Sequence, residues 1–115
     1  MTNAFIRKVK NITGTTLTTI GTNDTNGTCP AAHTWTAVGL TVANTYSTAI
    51  KASVALYDNT TTYYLVKDAD IPIGGTLVVI GGDQKVVMNN PDRIRVATSN
   101  AAYTCDVILS ILDSY

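Results

Sequence analysis

The sequence predicts an all-β fold, a single antiparallel β-sandwich of jelly-roll or immunoglobulin-like type, on three observations. Short apolar or alternating runs recur along the chain at roughly ten-residue spacing, about nine in all, each bounded by Gly, Asn, Asp, Ser or Pro. Thr, Val, Ile and Tyr, which suit a pleated and half-buried surface, are plentiful, while all acidic residues are aspartate and strong helix formers never make a continuous run. The 115 residues are one domain's worth and show no linker or internal repeat that would divide them, so residues 1–115 read as one unit.

Taken in order, residues 4–12 alternate, with Phe5, Arg7, Val9 and Asn11 on one side and Ile6, Lys8, Lys10 and Ile12 on the other. Arg7, Lys8 and Lys10 form a small basic cluster. Its first reading is a charged edge strand that resists edge-to-edge association; its second is an arm that touches a negatively charged neighbour subunit or nucleic acid. Residues 15–20 make a short strand anchored by Leu17 and Ile20. Residues 21–32 are a polar surface loop rich in turn formers, where Asp24 and Asn26 are candidate subunit contacts. The loop is no EF-hand, which needs spaced carboxylates and a bidentate glutamate that this chain does not contain. Four Asn-x-Thr matches, at Asn11, Asn23, Asn26 and Asn59, follow from the abundance of both residues.

Residues 34–44 read as a long strand with Val38, Leu40 and Val42 on one face and Trp35 on the other. Trp35 is therefore either an exposed anchor for a partner or a closure for one end of the sandwich. In residues 49–57 a strict period of two puts Ile50, Ala52, Val54 and Leu56 inward and Lys51, Ser53, Ala55 and Tyr57 outward. One more strand covers residues 63–67. The last four, 76–80, 84–88, 93–98 and 103–112, are joined by short turns at Gly74-Gly75, Gly81-Gly82-Asp83, Asn89-Asn90-Pro91-Asp92 and Ser99-Asn100-Ala101-Ala102. Short connections suggest an antiparallel meander, with Ile94 and Val96 inward, then Cys105, Val107, Leu109 and Ile111.

Composition narrows function. The formal net charge is zero and charged residues are 14% of the chain, against about 25% in an average soluble domain, so nothing attracts nucleic acid. No run approaches the apolar length of a membrane span, and the first residues have no apolar signal region, which places synthesis in a cytoplasm. His33 is the only histidine, with no Ser/His/Asp pattern or metal-ligand cluster around it, so the chain is not read as an enzyme and no cofactor is implied. His33, Trp35 and Tyr57 are instead candidate contacts, and Asp68, Asp70 and Asp83 read as turn and strand-end residues.

Cys29 and Cys105 leave three readings open: two reduced thiols, one packed as a small hydrophobe; an intramolecular disulfide tying the loop to the last strand; or a cross-link from Cys29 to a neighbouring subunit.

The run KDADIPIGGTLVVIGGDQKVVMNNPDRIRV and the ending CDVILSILDSY resemble the C-terminal half of small virion structural proteins of tailed phages. FIRKVKNITGTTLTTI and GLTVANT resemble their earlier parts, so the likeness spans most of the chain. Its motifs are turn and core positions and bring no catalytic residue. The resemblance implies an accessory virion component, a capsid decoration or cement protein or a neck or collar protein. Such a protein is made in a bacterial host cytoplasm and located in the virion, with copies of itself and other virion proteins as partners and a ring or other homo-oligomer as its form. An extracellular particle also strengthens either disulfide reading. The rival expectation is a carbohydrate- or host-surface-binding adhesion module, marked by exposed aromatics.

Overall fold

The structure, a computed structural model, describes residues 2–115; the side chain of Asp24 lies outside the described part. Nine strands and one helical turn follow in order: β1 (Asn3–Thr13), β2 (Thr18–Thr19), α1 (Asp24–Gly27), β3 (Thr34–Asn44), β4 (Ile50–Tyr57), β5 (Thr62–Ile71), β6 (Thr76–Ile80), β7 (Val86–Asn89), β8 (Arg93–Thr98) and β9 (Thr104–Ser114). They form two antiparallel sheets. One has the order β1-β9-β3-β6, with β7 also paired to β3, and the other has the order β2-β8-β4-β5.

β6 and β7 lie end to end along one edge of β3: β6 meets Leu40 to Ala43, and β7 meets Thr34 to Ala37. Counted as one interrupted strand, they complete two sheets of four positions between which the chain repeatedly crosses. That is a jelly roll, whereas immunoglobulin-type sandwiches keep their first two strands in one sheet.

The last four strands are therefore not a meander. β8 lies between β2 and β4 in the second sheet, and β9 returns to the first sheet between β1 and β3. The turn after β7 crosses the rim of the sandwich instead of reversing within a sheet. It is held by the Asn89 N–H donating to Asp92 Oδ2 at 3.0 Å and contains a cis Asn90–Pro91 bond. A short connection fixes that two strands are close, not whether the second lies beside the first or opposite it.

The core forms where the inward rows of both sheets meet. The first sheet contributes Ile12, Leu40, Val42, Ile80, Met88, Val107, Leu109 and Ile111, and the second Ile50, Ala52, Val54, Ile71, Ile94 and Val96. Inward Ile50, Ala52, Val54, Ile94, Val96, Cys105, Val107, Leu109 and Ile111 agree with the alternation in the sequence; Leu56 is only half-buried.

Trp35 does not. It is 2% exposed and belongs to the core, with Ala37, Leu40 and Val42. A register shift between Ala37 and Gly39 inserts one residue, so residues before the bulge share a face with residues an odd number further on. Val38, expected inward, is displaced to a half-buried position.

The segment expected as a strand at 15–20 pairs only through Thr18 and Thr19, against Val96 and Arg95. Gly14 and Gly21, at φ of 92° and 130°, bend the chain on either side of it. The following loop is not wholly superficial. Asn23 caps α1 by accepting from the Asn26 N–H at 2.7 Å, a Cβ on Gly27 would overlap the Ile20 carbonyl, and Cys29 is fully buried with its N–H bonded to the Asp92 carbonyl.

Candidate docking surface

The outer face of the first sheet carries exposed apolar side chains in two rows. β1 pairs with β9 so that Phe5 lies opposite Leu112, Arg7 opposite Ser110, Val9 opposite Ile108 and Asn11 opposite Asp106. β3 continues these rows with Thr36, Gly39, Thr41 and Ala43, and the far edge adds Val87 and Val78. Phe5 is 81% exposed, Val78 62%, Val87 59%, Ile108 49% and Val9 48%. Among the described residues the only charges at these paired outward positions are Arg7 and Asp106. Asp106 is oriented by the Asn11 side-chain amide, which donates to it at 2.7 Å. Exposed apolar side chains gathered on one sheet face mark an interaction site.

An open cleft of about 580 Å³ borders this face at the β1 edge, lined by Val9, Lys10, Asp106 and Ile108 together with Gly21 and Thr22. A smaller one of about 380 Å³ lies where Thr28, Cys29 and Pro30 meet Arg93.

The residues singled out in the sequence do not converge on one site. Arg7 lies on the apolar face, but Lys8 and Lys10 point to the other side of β1, half-buried, with Lys8 Nζ 5.5 Å from the centroid of the Trp35 ring. The basic cluster is thus split between two faces. Asn26 is exposed, yet its backbone N–H and side-chain oxygen are engaged in the turn around α1. Asp24, the other loop candidate, has its side chain outside the described part.

His33 is half-buried, its Nδ1 2.8 Å from Asp113 Oδ1 and its ring stacked on Tyr115 with centroids 4.5 Å apart. This clip fastens the start of β3 to the end of β9. Tyr57, on the outer face of the second sheet, lies under the guanidinium groups of Arg95 and Arg93, at 4.1 and 5.1 Å from its ring centroid. Arg93 also donates to Thr28 and Asn59. Trp35, being buried, is no surface anchor.

Both cysteines are free thiols and both are fully buried. Cys29 lies within hydrogen-bonding reach of the His33 and Met88 carbonyls and Cys105 packs in the core, so the intramolecular disulfide is not formed and the Cys29 sulfur is not presented at the surface. Burial pushes the Cys29 thiol up, and burial together with the Asp106 charge pushes Cys105 up to about 11. Thiol reagents at neutral pH are therefore expected to label neither cysteine in the native protein and both after denaturation, as counted by intact mass. A raised thiol pKa favours the neutral form in the fold. Its stabilisation is complete below the unfolded value of 9.0 and declines as pH rises toward about 11.

Phe5, Val9, Val78, Val87 and Ile108 were not among the sequence candidates. Their signal was present, since TLVVI and CDVILSIL carry apolar residues in both phases of the alternation, as a strand covered on both faces does. No protein-family model matches the chain, and no match is found among curated proteins.

Proposed function

We propose that the protein is a structural component of a tailed-phage virion, an accessory protein of the decoration, cement, neck or collar kind that works by burying surface against its neighbours. The observation that carries this reading is the apolar outer face of the β1-β9-β3-β6 sheet, which water does not favour leaving bare. The sequence resemblance supplies the virion. The jelly roll is compatible, because that architecture serves capsid proteins, though it also serves lectins and cupins, and so supports the reading only by analogy.

The test is reconstitution. Particles lacking the protein are mixed with the purified chain, sedimented, and heated until the genome is released. Wild type is expected to co-sediment and raise the release temperature, and Ile108→Asp to bind about tenfold or more weakly. Failure of wild type to co-sediment, or equal binding by Ile108→Asp, would overturn the reading. Retention on immobilised glycans, competed by free sugar, would move the protein to the adhesion class.

A further inference from the structure

We infer that the apolar face is covered by a second copy of this chain, packed face to face about a two-fold axis. This rests on the reading of that face as an assembly surface and names its occupant.

The edges of the sandwich are poor places to associate. β2 pairs over two residues only. β5 is broken by two register shifts against β4 and by Asp68 at φ of 52°, whose N–H turns to Ser53 Oγ. The edge made by β6 and β7 is interrupted at residues 81–85. β1 is long and regular but carries Arg7, Lys8 and Lys10 with no carboxylate, so pairing it with its own copy would bring like charges together. The face carries one charge of each sign, Arg7 and Asp106, among exposed apolar side chains, so it does not repel a copy of itself.

Its size and charges suit a copy of itself. Four strand positions about 4.8 Å apart and strands of about 35 Å give roughly 700 Å², close to the roughly 800 Å² per partner of a standard interface. Val9, Ile108, Thr41 and Val78 form one row across the strands. Arg7 lies two residues to one side of that row and Asp106 two residues to the other, each about 7 Å away. A two-fold axis along the row packs Ile108 near Ile108 of the copy. It also brings each Arg7 over the partner's row of Asn11 and Asp106, within reach of the carboxylate. The contact is isologous, so it occurs twice and closes the dimer. The formal net charge of zero adds no long-range repulsion between copies.

Sedimentation equilibrium across a concentration series tests this. Wild type is expected to be a dimer. Ile108→Asp should raise the dissociation constant at least tenfold, while Tyr64→Ser on the opposite sheet leaves it unchanged. Arg7→Asp and Asp106→Arg should each weaken the dimer about three- to tenfold, and the double exchange should recover most of the loss, because it rebuilds both contacts with the charges reversed. All these positions are exposed, and circular dichroism checks that each variant folds. A wild-type monomer at about 100 μM, a dimer indifferent to Ile108→Asp, or a double exchange with no recovery would overturn the proposal. A monomer whose attachment to particles still depends on Ile108 removes the dimer and leaves the assembly role. Attachment indifferent to Ile108, with the dimer intact, removes the role and leaves the dimer.

Discussion

Trp35→Ala is expected to cost about 3–5 kcal/mol of unfolding free energy, a large share of the roughly 5–15 kcal/mol that holds a domain together. The side chain is the largest in the core and sits where Met88 on one neighbouring strand and Asp113 on the other are in register with it. No neighbour can fill the space without moving two strands. Urea unfolding followed by far-ultraviolet circular dichroism measures the loss, since the variant has no tryptophan left to report. Trp35→Phe separates the two contributions of the ring. The indole Nε1 is buried with no hydrogen-bond partner, and such an orphan costs about 1–3 kcal/mol, so removing it offsets much of the lost volume. The phenylalanine variant is expected within about 1.5 kcal/mol of wild type. A loss as large as that of Trp35→Ala would show that the N–H is satisfied or that shape alone decides.

Trp35 also shows where reading a sequence by its period fails. Strand positions and most inward rows were legible because alternation is local. The faces of Ile94, Val96, Val107 and Leu109 follow from counting by twos within one unbroken strand. Across residues 37–39 the same count reverses, because one extra residue enters the strand, and the one hint of it in the letters is Gly39, a glycine inside a strand pattern. The order of the last four strands was illegible for a related reason. Turn chemistry at Asn89 to Asp92 specifies a sharp change of direction, while the choice between the same sheet and the opposite one depends on where β2, β4 and β1 already lie. The docking face was legible in part, through Val78, Val87 and Ile108 in the wrong phase for a core. What hid it is that these residues lie on four different strands, and only the pairing of those strands gathers them on one face.

A jelly roll whose first sheet is sealed by a copy of itself would present every remaining surface twice, half a turn apart. Such a dimer can grip two identical neighbours at once, which is what cementing a symmetric particle requires. The outer face of the second sheet, with Tyr57 beneath Arg93 and Arg95 and with the exposed Tyr63 and Tyr64 on its edge strand, is then the surface turned outward. Tyrosine and arginine are the residues over-represented where protein contacts are strongest, so this face can supply the particle contact, and Ile108→Asp then weakens attachment by halving the valency of the dimer.

Asn44→Ala is expected to be the costliest change at a polar position, about 2–4 kcal/mol, although it deletes only an amide. Asn44 ends β3 and is buried. Its Nδ2 donates toward the carbonyls of Thr48, Ile71 and Pro72 at 2.8, 3.1 and 3.2 Å, and its Oδ1 accepts from the Tyr46 N–H at 2.8 Å. One side chain therefore ties the loop from β3 to β4 to the connection from β5 to β6, two crossings between the sheets. Alanine leaves several backbone groups short of partners in a place with little access for water. Asn44→Asp should do no better, because a carboxylate oxygen would then face the same three carbonyls. By contrast, Asn11→Ala, which loses the exposed bond to Asp106, should cost no more than about 0.5 kcal/mol. Urea unfolding monitored by Trp35 fluorescence compares the three. Limited proteolysis adds a local readout, because the Asn44→Ala protein should be cut first within residues 45–49 or 72–75, where the released carbonyls lie. A cost below about 1 kcal/mol, with no new cleavage there, would mean that water replaces the amide and that the two crossings are held by the strands alone.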